Sequence, residues 1–202
     1  MDSAPEEHGP GIMGPGRLEA FSDGVIAVII TIMVLELKAP HPLTWPGLIG
    51  LAPVMLSYVL SFLVVAVMWV NHHHIVHTLR RVNGRTLWMN LHLLFWMSLI
   101  PFTTSLVGEN HESSLAACLY GLNLAACSLA FPGLTWEAWR QSRAGQASGR
   151  PPKWHGDIAV VLVYLSAAAL SFVSVYIAYL IYAAIPLLYF VPERQFKAAR
   201  TA

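Results

Sequence analysis

The chain has 202 residues, 56% of them hydrophobic and only 11% charged, with a mean hydropathy of +0.56. A soluble domain carries about 25% charged residues, so this composition excludes an ordinary water-soluble fold. A formal net charge of +1 likewise excludes a polyelectrolyte built to hold nucleic acid.

Residues 1–16 are acidic, rich in Gly and Pro, and contain no Lys or Arg. They lack the basic start of a signal peptide and are expected to form a disordered cytoplasmic tail. Apolar segments follow at 18–37, 47–70, 86–107, 113–139 and 157–191. Each approaches or exceeds the roughly 20 residues needed to span a bilayer. Their breaks carry loop chemistry: Ala39-Pro40-His41-Pro42, then Asn71-His72-His73-His74 through Arg85, then Gly108-Glu109-Asn110-His111-Glu112, then a Gly/Ser/Pro-rich stretch from Gln141 to Gly156. Cys118 and Cys127 share one run. On a helix they would stand about 13 Å apart, too far for a disulfide, so they read as small buried residues.

The last segment is overlong for one helix, and charge resolves it. Lys and Arg concentrate on the cytoplasmic side of membrane proteins. Of the twelve basic residues, eleven fall on one side if residues 157–191 form a hairpin turning near Ser171 to Ser174, leaving only Lys38 outside. An all-α membrane protein of six spans is therefore expected, with spans at about 18–37, 47–70, 86–107, 113–139, 157–172 and 174–191. Both termini would be cytoplasmic, with a basic tail at 193–202. No long loop remains to hold a soluble domain. Nucleotide-binding loops, a Gly-x-Ser-x-Gly elbow and thiol–histidine pairs are missing, so enzymatic function has no support.

The first span carries its polar groups at its ends. Arg17, Glu19, Ser22 and Asp23 occupy the first turns and Glu36 and Lys38 the far end, with an apolar stretch between them broken only by Thr31. A charge at the centre of a membrane helix costs about 2.5–3.5 kcal/mol, and an intramembrane acid generally has a partner or faces a cavity. Asp23, the deepest of these charges, calls for a donor on another helix, such as a histidine or a tryptophan N–H. Alone, this leaves open whether Asp23 anchors helix packing or faces an ion path.

Arg17, Phe21, Ser22 and Asp23 form Arg-x-x-x-Phe-Ser-Asp at the start of an N-terminal span. This resembles the signature of the transmembrane protein 175 family, potassium-selective channels of endosomes, lysosomes and bacterial plasma membranes. Chain length and six spans match one bacterial-type subunit. The resemblance implies a homotetramer in a bacterial inner membrane, with four first helices lining a central pore. It also implies an apolar constriction at Val28, Ile32 and Leu35, ion selection associated with Thr31, and potassium as permeant ion without a further cofactor. Val28, Ile32 and Leu35 share a helix face by spacing, which by itself would equally suit packing. An apolar ring blocks ions by dewetting. The family also braces its signature with polar residues of spans two and three; here the candidates are Trp69, Asn71, His73, His77 and Asn90.

Other constellations carry less. Thr103-Thr104-Ser105-Leu106-Val107-Gly108 resembles a carbonyl filter but lacks its tyrosine and second glycine, and reads as the end of span three. His73 and His77 are one helical turn apart, but no nearby Cys or acid completes a tetrahedral set, so no metal site is expected. His92 and Trp96 share a face as a packing pair, Glu137 and Arg140 form an interfacial pair, and Pro101 and Pro132 are expected to kink their spans. Two further readings compete with the channel: a proton- or metal-coupled transporter using Asp23 and the His72–His77 cluster, and a structural membrane component without transport.

Overall fold

The computed structural model describes residues 14–143 and 154–190. Among them the chain is helical, in the order α1 (Pro15–Leu35), α2 (Trp45–Gly50), α3 (Ala52–Val76), α4 (Gly84–Ser98), α5 (Ile100–Glu109), α6 (Ser114–Arg143), α7 (Trp154–Leu170) and α8 (Val175–Phe190). Four stretches are long and apolar enough to cross a membrane: Pro15–Leu35, Ala52–Val76, Gly84–Glu109 and Ser114–Gln141. The helices at Gly156–Leu170 and Val175–Tyr189 are apolar but shorter. The tails expected at 1–16 and 193–202 fall outside the described residues, except that α1 already begins at Pro15.

Local chemistry sets the helix starts. Pro15 opens α1, at a position where its missing N–H is not needed. Asn83 caps α4, its Oδ1 accepting from the Thr86 N–H at 2.9 Å. The third span, expected at 86–107 with a kink at Pro101, breaks at Leu99, between α4 and α5. Pro101, in the first turn of α5, has no N–H to give to the preceding turn. Pro132, by contrast, lies within the continuous helix α6.

The second span also differs from its expected limits. A short helix, α2, precedes it, and α3 runs to Val76 rather than stopping at residue 70. The histidine run is therefore part of the helix and not of the following break. No Gly or Pro interrupts it, and both His72 and Val76 are completely buried, so burial favours continuing the helix.

α1 packs against α3, α4 and α5; α6 packs against α4, α5 and α7; α7 pairs with α8 through a turn at residues 171–174. The main core joins Ile26, Ile29 and Met33 of α1 to Val65 and Met68 of α3 and to Leu93 and Met97 of α4. Polar bonds tie the bundle inside. The Thr104 and Ser61 hydroxyls share a bond of 2.7 Å, and Ser61 and Tyr120 share a bond of 3.0 Å, linking α5, α3 and α6. At Gly121 an added Cβ would collide with the Tyr182 side chain. That hydroxyl donates to the Ala117 carbonyl at 3.0 Å and closes α8 onto α6.

Glu137 is more than half of an interfacial pair. It is buried, accepts from Asn83 Nδ2 at 2.9 Å, and lies 3.6 Å from Arg140. It thus fixes the same asparagine that caps α4.

Candidate functional site

α1 has two distinct faces. Leu18, Ser22, Ile26, Ile29 and Met33 recur at helical spacing and are buried against the bundle. Among the described residues no element covers the opposite face: Phe21, Val28, Ile32 and Leu35 are 52%, 54%, 42% and 74% exposed, and Arg17, Gly24 and Thr31 are exposed with them. Val28, Thr31, Ile32 and Leu35 therefore lie together on a surface that the other described residues leave open.

Thr31 donates its hydroxyl proton to the Val28 carbonyl at 2.9 Å. A hydroxyl has one proton and two lone pairs. With the proton committed to its own helix, Thr31 offers its surroundings acceptor oxygen only, the polarity that suits a cation.

The polar end of α1 is held by α3 and α4. Ser22 is buried and donates to the Leu18 carbonyl at 2.8 Å. Asn90 Nδ2 donates to Ser22 Oγ at 2.9 Å, and Asn90 Oδ1 lies 2.8 Å from His72 Nε2. Since an amide oxygen only accepts, that histidine nitrogen carries the proton. His72 Nδ1 is then an acceptor, buried without a partner among the described residues.

Toward the edge of the same contact, Trp69 Nε1 donates to Asp23 Oδ1 at 2.8 Å. One turn before Asp23 on α1, Glu19 Oε1 lies 3.0 Å from His73 Nδ1 and 3.4 Å from His77 Nε2. Trp69, His73 and His77 follow each other at four-residue steps along α3, as do Glu19 and Asp23 along α1. The two helices thus face each other as a ladder of two rungs. The aromatic rings pack along it, Trp69 tilted against His73 at 5.7 Å and His73 edge to face with His77 at 4.3 Å between centroids.

The five expected partners divide accordingly. Trp69 meets Asp23, Asn90 meets Ser22, and His73 and His77 meet Glu19 rather than Asp23. Asn71 turns away and, with His74 and Asp157, lines a cavity of about 270 Å³ between α3, α6, α7 and α8. Arg17 makes no ion pair among the described residues. His72 was not among the expected partners; its signal in the sequence is the four-residue step Met68, His72, Val76, the buried stripe of α3.

The far end of α1 is also pinned, with Ser105 donating to Glu36 at 3.3 Å. The filter-like run is helix α5. Thr103 and Thr104 donate to the Ile100 carbonyl at 3.1 and 2.7 Å, so their hydroxyls serve the bundle. His92 and Trp96 meet edge to face at 6.2 Å, a packing contact.

Comparison with known proteins agrees with this architecture. The family model described as endosomal/lysosomal potassium channel TMEM175 matches residues 17–101, from Arg17 through the start of α5. A potassium channel of Chryseobacterium sp. (strain P1-3) is 40% identical over 186 residues, covering 91% of this chain and 96% of its own. A potassium channel of Streptomyces collinus is 38% identical over 133 residues, covering 62% of this chain and 65% of its own. The crystal structure of a lysosomal potassium-selective channel TMEM175 homolog from Chamaesiphon minutus superposes with a TM-score of 0.71 at 30% identity, over 86% of this chain and 95% of that one. Likeness to the Chryseobacterium channel along nearly the full length of both chains, with the same helical bundle in a solved homolog, makes this chain a member of the TMEM175 family.

Proposed function

We propose that this chain is the subunit of a potassium-selective channel that conducts passively, as a homotetramer, through a pore lined by the open face of α1. The observation that carries this reading is the division of α1: its buried face is bonded to α3, α4 and α5, while Val28, Thr31, Ile32 and Leu35 stand uncovered. One copy of such a face encloses nothing; four copies around an axis enclose a path. Val28, Ile32 and Leu35 would then form stacked apolar rings that dewet and close the path. Thr31, acceptor-only toward the pore, would present oxygen to a partly dehydrated cation. The names of the relatives supply the ion, potassium.

The bracing role falls to Ser22 and Asp23 with Asn90, His72 and Trp69, while Arg17 and Phe21 lie on the open face. Fixing the buried face of α1 fixes which residues its other face presents. In this reading α7 and α8 are the last pair of six spans, and both termini lie on the cytoplasmic side of a bacterial inner membrane; the one-sided distribution of basic residues supports it.

The test is potassium flux from liposomes holding purified protein. Leu35→Asn and Ile32→Asn are expected to raise passive flux by wetting the constriction, and Leu35→Trp to lower it. Flux indifferent to all three would refute the pore assignment. A coupled transporter would instead saturate, follow an imposed proton gradient and stop in Asp23→Asn.

A further inference from the structure

The lower rung between α1 and α3 brings together groups that lie 54 and 58 residues apart in sequence. Glu19, His73 and His77 each offer one ligand atom, and the three atoms lie within 4.8 Å of one another. From these we infer that Glu19, His73 and His77 form a binding site for a divalent transition metal of the zinc class, seated between the first and third helices. This site goes beyond ion conduction and stands apart from the α1 face assigned to the pore.

The geometry and the donor chemistry both support it. Zinc holds imidazole nitrogen and carboxylate oxygen at about 2.0–2.2 Å in a tetrahedron, which spaces neighbouring ligand atoms by about 3.4 Å. Glu19 Oε1 stands 3.0 Å from His73 Nδ1 and 3.4 Å from His77 Nε2 before any metal is added. Two imidazoles with one carboxylate favour zinc, nickel or copper over the hard cations magnesium and calcium, which prefer oxygen alone. Three protein ligands leave a fourth position for water, the pattern of an accessible site rather than a closed structural one.

Access and placement also fit. The His77 side chain is 60% exposed at the end of α3, while Glu19 is 22% exposed, so the site opens outward and is anchored inward. Because the carboxylate comes from α1 and both imidazoles from the last turn of α3 and its cap, a bound ion links the two helices directly. The ladder sets the ligands in advance: the Trp69–Asp23 bond one turn deeper fixes the same pair of helices, and the Trp69 ring packs against His73. His74 lies on the cavity side of α3, away from the cluster, and so provides an internal control.

The test is calorimetric titration of Zn²⁺ into tag-free, full-length protein in nanodiscs, with Co²⁺ absorption as a report on coordination. One metal per subunit is expected, with a tetrahedral cobalt spectrum. Removing a hydrogen-bond partner that merely orients a metal ligand already costs about 10–100-fold in affinity, so Glu19→Gln and His77→Gln should each weaken zinc at least about tenfold, and His74→Gln should leave it unchanged. His77→Gln alters an exposed side chain, and an unchanged gel-filtration profile shows that it folds. Equal zinc affinity in the parent, Glu19→Gln and His77→Gln proteins would overturn the site, as would the absence of saturable binding. Binding is read directly, so the outcome is independent of whether the protein conducts potassium.

Discussion

Asn90 is the residue on which the signature contact turns. It donates to Ser22 and accepts from His72, and all three are fully buried. Leaving a buried polar group unsatisfied costs about 1–3 kcal/mol, and Asn90→Leu strands the His72 Nε2 proton, while Ser22 keeps its bond to the Leu18 carbonyl and loses only its incoming donor. That variant is expected to lower thermal stability in detergent more than Ser22→Ala, which leaves the His72–Asn90 bond intact. A double-mutant cycle should show strong non-additivity, because both changes act on one network. Equal losses from the two single variants would mean that His72 does not depend on Asn90. Trp69→Phe keeps an aromatic ring against His73 but removes the bond to Asp23. Hydrogen bonds to charged groups contribute about 1.5–3 kcal/mol, and Trp69 is 40% exposed, so the lower end of that range is expected. Thermal unfolding against Asp23→Asn distinguishes a shared bond from two separate effects: the two losses should overlap rather than add.

At the scale of elements, helices approach closely where small residues permit it. Gly121 on α6 faces the Tyr182 side chain of α8 with no room for a Cβ. Overpacking a tight contact costs about 1–3 kcal/mol, and here it would also displace the bond from Tyr182 to Ala117. Gly121→Leu is therefore expected to lower the melting temperature and loosen α8, read as faster hydrogen exchange at residues 175–189. The α7–α8 hairpin was legible from charge bias, because a single long helix strands three basic residues. The break at Leu99 was signalled by Pro101. Pro132 carried the same signal but left its helix continuous, because neighbouring helices and polar side chains compensate for a missing backbone bond. Helix limits near the histidine run were not legible, since nothing local marks where burial stops rewarding another turn.

For the whole molecule, the proposed topology makes a direct prediction. Cysteines placed at residues 195 and 81 should be labelled by an impermeant reagent from one side of the membrane, and a cysteine at residue 41 from the other. Labelling of 195 and 41 from the same side would remove the sixth span. Cross-linking of a single cysteine at Leu35 or Gly24 should yield dimers of the subunit if the open face of α1 surrounds an axis.

Sequence by itself determined the membrane-embedded helical class, the polar ends of the first helix and the resemblance to the family. Those follow from composition, from the energetic cost of charge in hydrocarbon and from residue types at fixed local spacing. Which histidine meets which partner was decided only by tertiary structure. His72, His73, His74 and His77 are nearly equivalent as letters, but α3 turns about 100° per residue. That rotation sends His72 into the core beside Asn90, His73 and His77 to Glu19, and His74 toward a separate cavity. Likewise, no local rule placed an acid beside His73 and His77. Glu19 arrives there because α1 packs along α3, and long-range contacts of that kind are fixed by the fit of whole helix faces rather than by neighbours in the chain.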